Sequence, residues 1–384
     1  MSSKLTAVTI GAGWAGEGHT KALEFAGVEV QAICARKLDV VHEVAKRLNV
    51  AEASVNWRET LERVKPNIVA IATPAALREP VIEVATDLGC HIYCDKPLAT
   101  TADEAGRIYQ LAKSANVKHA YAATHRYDSG VTWLNELLMK DTIGTLRDIV
   151  VTTRGRRSPS SVMPWSWMQT LDAGGGALNN GLPHMLGILQ AITDGRLLRS
   201  MGEARVLTNK APVIPDLHDY RDWLKKGGEL TREDAAHLEW RPVDADNVFS
   251  ALFQFRVNHV DVSATILFGV GQPVSTGING IRLYGDKGTL ATEGTFYLNK
   301  ILLYNNNSEE ARELKVPQRL KDQLPQIGDF VQNRWCALAR DFLADIKGQD
   351  HQPYLTFRDG WRYQLAIESI RNGHGWLELP GDDQ

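Results

Sequence analysis

Gly11, Gly13 and Gly16 stand as G-x-G-x-x-G, directly after the apolar run Leu5 to Ile10 and directly before a helical pattern. In that setting the first glycine makes a tight turn, the second lets the backbone approach a pyrophosphate, and the third allows close helix packing. The helix opening there presents unpaired N–H groups and a positive dipole end, so a dinucleotide is the predicted ligand, with Trp14 and Ala15 inside the phosphate loop. Roughly 20 residues on, a fold of this kind that prefers NAD places Asp or Glu against the ribose hydroxyls. Here the chain reads Cys34-Ala35-Arg36-Lys37. No carboxylate repels a 2′-phosphate, and Arg36 and Lys37 can pair with one, which favours NADP over NAD; Arg36 can equally stack on adenine with NAD bound.

Two further groups carry possible binding chemistry. Arg154-Gly155-Arg156-Arg157 precedes Trp165-Ser166-Trp167. Guanidinium groups grip carboxylates, phosphates or sulfonates bidentately and indole faces suit the apolar face of a sugar ring, so Arg154, Arg156, Arg157, Trp165 and Trp167 suggest a substrate with an anionic group. The same arginines would also serve at a subunit interface or on the cofactor phosphates. His125, Arg126 and Tyr127 fall where the α/β pattern ends, which places them toward an interdomain cleft as substrate contacts or as hinge packing. Cys34, Cys90, Cys94 and Cys336 fit no zinc spacing, and no H-x-x-x-H occurs among the remaining histidines, so no metal site is predicted.

The elements that must hold these groups are legible as periodicity. From residue 5 to about 124, β-branched runs (5–10, 28–34, 68–72, 91–94, 118–122) alternate with helical patterns (17–26, 40–48, 79–88, 102–114), which predicts a doubly wound parallel sheet. After Tyr127 a helix over 131–140 and a strand over 147–153 lead to a glycine-rich segment and a helix ending near Ile192. Runs at 248–257, 260–268, 278–284 and 288–293 are expected to be antiparallel strands, with turns at Asn258-His259 and Gly285-Asp286. The reading is a Rossmann domain, 1–124, followed by an α+β domain, 125–384, with a large, mainly antiparallel open sheet. Residues 209–247 carry no clean period and read as an insertion; helices near 331–346 and 357–371 are expected to pack beside the sheets, in part on the first domain.

Bulk composition excludes several classes. A length of 384 residues calls for two domains, and 43% hydrophobic with 23% charged residues is globular composition. A net charge of −3 offers no field for nucleic acid or an anionic membrane, and no apolar stretch approaches the roughly 18 residues of a membrane span. With no secretory leader before Leu5, the cysteines read as reduced thiols of a cytoplasmic protein.

An ordered set of motifs then narrows the reading: Thr73-Pro74 after the run 68–72, Cys94-Asp95-Lys96-Pro97-Leu98-Ala99, and Gly174-Gly175-Gly176-Ala177-Leu178 with His184 beyond. Together they resemble the Gfo/Idh/MocA oxidoreductases, and the set spans most of the chain. The resemblance implies a Rossmann domain followed by an α/β domain with a large open sheet, buried between subunits of a homo-oligomer. It also implies hydride transfer between NAD or NADP and a sugar or cyclitol, with Thr73, Pro74 and Asp95 at the cofactor. By the same resemblance, Lys96 lies between nicotinamide and substrate hydroxyl, where an ammonium can stabilise an alkoxide or, with a lowered pKa, relay a proton. Many dehydrogenases of the family continue the glycine triplet as Ala-Leu-x-Asp-x-x-x-His. This chain keeps His184 but has Asn180 at the Asp position, and Asn can hold a hydroxyl but take up no proton. On a helix, a spacing of four puts Asn180 and His184 on one face, and His184 is the candidate general base or acid. Pro183 is expected to interrupt that helix and start it afresh.

Three functions follow from these residues. The leading one is reversible oxidation of a secondary sugar or cyclitol hydroxyl. The second, from a glycosidase branch of the same family, is glycoside hydrolysis through transient ring oxidation, elimination and water addition. The third is a dinucleotide-binding regulator without chemistry, against which the retention of Lys96 and His184 argues.

Overall fold

Strands such as Ile68–Ile71 and His91–Cys94 bury nearly every side chain, a pattern that suits a parallel sheet covered on both faces. The computed structural model describes residues 4–156, 162–215, 217, 223, 230–272, 279–298, 300–305, 310–373 and 375–381. Its N-terminal part has six parallel strands: β1 (Thr6–Ile10), β2 (Glu29–Cys34), β3 (Glu52–Ser54), β4 (Ile68–Ile71), β5 (His91–Cys94) and β6 (His119–Tyr121). Their order is β3-β2-β1-β4-β5-β6, so the chain reverses direction across the sheet between β1 and β4, where such folds bind ligands at the strand carboxyl ends. The helices α1 (Trp14–Phe25), α2 (Leu38–Leu48), α3 (Trp57–Val64), α4 (Glu79–Asp87) and α5 (Ala102–Ser114) cover the two faces. Residues of α1 and α2 share a core with Ala7, Ile33 and Tyr93, whereas α3, α4 and α5 pack on Val8, Val69 and Ile92.

The second part is built on α6 (Ser129–Met139), β7 (Leu146–Arg156), α7 (Ala177–Thr193), β8 (Arg196–Arg205), β9 (Lys210–Pro212), β10 (Trp240–Pro242), β11 (Val248–Val257) and β12 (Val260–Gln272). It continues through β13 (Gly280–Gly285), β14 (Gly288–Glu293), β15 (Lys300–Asn305), β16 (Arg312–Glu313), α8 (Gln318–Asp322), α9 (Phe330–Ile346), α10 (Phe357–Asn372) and β17 (Leu377–Glu378). Among the described residues nine strands form one sheet, β16-β15-β14-β13-β7-β12-β11-β8-β17, antiparallel except where β12 pairs β7 with Ile266 opposite Val151. Phe249, Ala251, Phe253 and Phe255 alternate onto the buried face with Val262, Ala264 and Ile266. The opposite face carries Val150, Leu252 and Leu267, none of them fully buried. The β11–β12 hairpin turns at Asn258 and His259, both at positive φ (45° and 69°) as a type I′ turn requires.

Several elements differ from the sequence expectation. Helix α1 begins at Trp14, because Gly13 serves as its N-cap. Strand β3 (EAS) is too short and polar to show a period, and β8 (RLLRSMGEAR) interleaves arginines with its apolar residues. Pro183 does not restart α7, which runs unbroken from Ala177 to Thr193. Within 209–247 the pair β9–β10 packs beside the Trp165 segment, with Trp165 N–H donating to Pro212 O at 2.7 Å. Helix α9 returns to the first sheet: Trp335 packs so closely on Gly18 that a Cβ there would lie 2.0 Å from its ring. Helix α10 packs on α5, with Trp361 stacked on Tyr109 at 5.8 Å. Among the described residues no helix is long and apolar enough to cross a membrane.

Candidate active site

The glycine loop is tightly built and leaves open space at its centre. Gly11 has φ +117° and a Cβ there would lie 2.7 Å from Ala72 O; at Gly16 it would lie 2.0 Å from Gly11 O. At Gly13 it would meet nothing within 4 Å, so the space beside this N-cap is open to a ligand. Thr73 and Pro74 follow β4 across the switch point, and Thr73 Oγ1 is buried without a hydrogen-bond partner among the described residues. Ala35, Arg36 and Lys37 leave the end of β2, the two cations exposed. An open helix N-terminus, an orphaned hydroxyl and two exposed cations after β2 suit a dinucleotide.

Lys96 follows β5 on the strand-end side of the same sheet. Arg78, 2% exposed at the start of α4, holds this stretch to the neighbouring turn: its guanidinium donates to Thr73 O at 2.9 and 2.6 Å, to Lys96 O at 3.4 Å, and to Asp95 O and Pro97 O. Lys96 Nζ donates to Asn180 Oδ1 at 3.1 Å. Burial lowers the Lys96 pKa, Asp95 opposes that shift and Arg78 adds to it. The Asp95 carboxyl is raised by burial, but His19, Lys96 and Arg78 outweigh this and hold it below its usual value. His19 Nε2 lies 3.7 Å from Asp95 Oδ1, too long for a hydrogen bond.

Helix α7 brings the other half. Gly176, at φ +103°, turns the chain into the helix, where Asp246 accepts from Leu178 N through Oδ2 and from Ala177 N through its backbone carbonyl, each at 2.7 Å. Arg371 on α10 donates to Asp246 Oδ1 at 2.8 Å and fixes the cap. Asn180 Nδ2 donates back to Gly176 O at 2.9 Å, which turns its Oδ1 toward Lys96. One turn on, His184 has a buried Nδ1 without a partner among the described residues, and burial, His125, Lys96 and Arg334 push its pKa well below the ordinary value.

His125 sits edge-to-face on His184, ring centroids 4.3 Å apart at 74°. Its Nδ1 is bonded to Arg334, which also pairs with Asp128 and donates to Phe296 O at 3.1 Å. Burial first, then Arg334 and Lys96, push the His125 pKa down to about 3. Arg126 is half-buried, and Tyr127 packs into the core of the first sheet beside α9.

The other described sequence-predicted residues have partners of their own, and the segment after Trp167 meets the start of α7, where Gly176 N donates to Met168 O at 3.0 Å and Gly175 N to Thr170 O at 2.8 Å. Arg154 lies on β7, on the face shared with Gly269, and its backbone bonds the Asn279 side chain in both directions at 2.7 and 2.8 Å. Arg156 ends β7, and Arg157 is outside the described residues. Trp165 Nε1 donates to Pro242 O at 3.1 Å with Arg241 over its ring, and Trp167 is partly exposed in the following 3-10 turn. Among the described residues no three His, Cys, Asp or Glu side chains are grouped to hold a metal. Sequence reading did not single out Arg78, Asp246 or Arg334. Each resembles a surface charge until its distant partner is known, and the proximity of Arg78 to Thr73-Pro74 was the one available signal.

Comparison with known proteins agrees with this architecture. Residues 5–123 match the family described as oxidoreductase family, NAD-binding Rossmann fold, and residues 131–291 match the GFO/IDH/MocA C-terminal domain. Levoglucosan dehydrogenase of Pseudarthrobacter phenanthrenivorans is 27% identical over 46% of this chain and 48% of its own length. D-glucoside 3-dehydrogenase of Escherichia coli is 28% identical over 41% of this chain and 45% of its own, so this chain spans about half the length of both named dehydrogenases. Oxidoreductase sll0816 of Synechocystis sp. is 26% identical over 100% of this chain and 98% of its own. The structure of levoglucosan dehydrogenase with NADH and levoglucosan superposes with a TM-score of 0.78 at 19% identity, covering 99% of this chain and 100% of that one, which shows a shared fold. Matched in order by both domains of the family and sharing the fold from end to end, this chain belongs to the Gfo/Idh/MocA oxidoreductases, with an NAD-binding Rossmann domain.

Proposed function

We propose that the protein oxidises a secondary hydroxyl of a sugar or cyclitol reversibly with a nicotinamide dinucleotide. The reading rests chiefly on the 3.1 Å contact of Lys96 Nζ with Asn180 Oδ1, which brings the lysine of the first domain to the helix that carries His184. Relatives named as levoglucosan and D-glucoside dehydrogenases support the substrate class.

The loop at Gly11, Gly13, Trp14, Ala15 and Gly16 would hold the pyrophosphate, with Thr73, Pro74 and Asp95 toward the nicotinamide half. A bound nicotinamide supplies the hydride acceptor. Lys96 donates to the substrate oxygen and offsets the charge that grows on it as its proton leaves. His184, neutral because of burial and surrounding cations, takes that proton in oxidation and returns it in reduction. Asn180 fixes the Lys96 ammonium and binds a neighbouring hydroxyl. Phe330 and Tyr297, partly exposed beside His125, give apolar faces for the ring. His125, Arg126 and Tyr127 border the same space.

Arg36 and Lys37, with no carboxylate at the end of β2, favour NADP over NAD. Arg154, Arg156, Arg157, Trp165 and Trp167 are the candidates for an anionic substituent of the substrate, and the turn after Trp167 supports this by bonding Gly175 N and Gly176 N at the start of α7. The face with the half-buried Val150 and Leu267 and the exposed Leu252 fits a second copy of the chain, a homo-oligomer that light scattering detects.

Asn180 in place of a carboxylate favours one second reading, glycoside hydrolysis with transient ring oxidation, in which no net redox change appears. A panel of neutral and anionic sugars and aryl glycosides, followed for nucleotide reduction and for aglycone release with NAD and with NADP, separates the two. Sugar-dependent reduction, lost in Lys96→Ala and His184→Ala, supports the dehydrogenase. Aglycone release without net reduction overturns it, and no turnover with intact nucleotide binding leaves a binding protein.

A further inference from the structure

Helix α9 places Arg334, 2% exposed, in its second turn, inside the cleft where His125 meets His184. Its position is fixed on several sides. Asp128, which accepts from Gly130 N at 2.8 Å at the start of α6, takes the charge of one guanidinium nitrogen. Phe296 O takes a second bond at 3.1 Å, and the guanidinium carbon lies over the rings of Tyr297 and Phe330, 5.2 and 5.1 Å from their centroids. The remaining contact is to His125 Nδ1.

A guanidinium has donors only, so the nitrogen it bonds must be the lone-pair nitrogen of the imidazole. We infer that Arg334 is a positioning residue: by donating to His125 Nδ1 it holds His125 as the neutral tautomer with its proton on Nε2, and so fixes an uncharged ring against the edge or face of His184. The inference rests on the reading of His184 as the proton-carrying group, but its geometry involves neither cofactor nor substrate.

The charges around His125 support it. Lys96 and Arg334 are cations, His184 is neutral and Asp128 is paired with Arg334 itself, so among the described residues no carboxylate faces His125 directly. A proton on His125 would have to displace the guanidinium from Nδ1 and add a third cation to the cluster. Two neutral imidazoles at 4.3 Å leave the buried Nδ1 of His184 without a partner among the described residues. The ring that Arg334 stabilises thus leaves His184 free to receive the substrate proton, and no proton is lost to its neighbour. Arg334 reaches across 209 residues of sequence to do so, which ties the C-terminal helix to the chemistry of the cleft.

The test begins with the full-length wild-type protein, its histidines labelled with 15N, and reads the tautomers of His125 and His184 by long-range proton–nitrogen correlation, assigned with His125→Gln and His184→Gln. The expected result is Nε2–H on His125 with no titration above pH ~5, given an ordinary imidazole pKa near 6.5. A proton on Nδ1, or an ordinary titration, overturns the inference whether or not any variant folds. In Arg334→Met the His125 titration is expected to rise toward the ordinary range and the acid limb of kcat/KM to move to higher pH. Arg334→Gln, which keeps a donor without the charge, is expected to restore the tautomer. An unchanged His125 titration in folded Arg334→Met would also overturn it. If the tautomer is as expected and no sugar turns over, the functional reading fails and the positioning role stands.

Discussion

The ammonium of Lys96 and the amide oxygen of Asn180 lie 3.1 Å apart across the two halves of the protein, where a carboxylate at position 180 would have made an ion pair. An amide oxygen orients the lysine but stabilises its charge far less than a carboxylate, so Lys96 keeps the lowered pKa that burial imposes. Replacing Asn180 by Asp is therefore expected to raise the Lys96 pKa, because an adjacent opposite charge favours the protonated form. The alkaline limb of kcat/KM should move up by about one pH unit or more. A pH profile checks this, and an unmoved limb would show that Lys96 does not control it.

Lys96→Ala and His184→Ala are each expected to lower kcat by about 10²- to 10⁴-fold, the usual share of a positioned acid–base group. The affinity of His184→Ala for the dinucleotide should change little, since His184 stands on α7, apart from the glycine loop. Stopped-flow turnover beside fluorescence titration of the nucleotide separates the two effects.

The three glycines of the loop should respond differently. Gly16→Ala places a methyl 2.0 Å from Gly11 O and is expected to lower stability and abolish nucleotide binding. Gly13→Ala meets no protein atom within 4 Å, so its unfolding free energy should stay within about 1 kcal/mol of wild type. Its dinucleotide affinity should nevertheless fall about tenfold, equivalent to about 1.4 kcal/mol. Equal affinity in Gly13→Ala would move the pyrophosphate away from this loop.

Arg78→Met removes the guanidinium donors from the part-buried Thr73 O and Asp95 O and from the buried Pro97 O. The expected loss is about 3 kcal/mol or more in urea unfolding, with a weaker nucleotide affinity because both motif loops lose their common anchor.

His119 accepts from Phe357 N at 3.1 Å and stacks on the Phe357 ring, and burial pushes its pKa down from 6.5 to about 4. The unfolded chain then binds more protons than the folded one between these values. The contribution of His119 is complete above pH 6.5 and is lost as pH falls toward 4. Of the pH-dependent stability across that range, to which His125 and His184 also contribute, the share of His119 should be about 3 kcal/mol. Thermal unfolding of His119→Asn should show a slope reduced by that share.

What the sequence by itself determined is what short-range chemistry encodes. The glycine loop, the alternation of strands 68–71 and 91–94 with helices such as 102–114, and the hairpin at Asn258-His259 depend on neighbours within a few residues, and the structure places them where periodicity and turn chemistry did. The ordered motifs around Lys96 and His184 also identified the family. Other features needed the tertiary structure because their causes lie far apart in the chain. Strand β7 enters the sheet beside β12 in parallel, a pairing no local pattern specifies. Helix α7 runs through Pro183, and its first turn is held by Asp246, 68 residues from Leu178, with Arg371 behind it. Arg78 and Arg334 read as ordinary cations in the sequence. Only folding buries them and supplies the carbonyls, carboxylate and imidazole that a desolvated guanidinium requires.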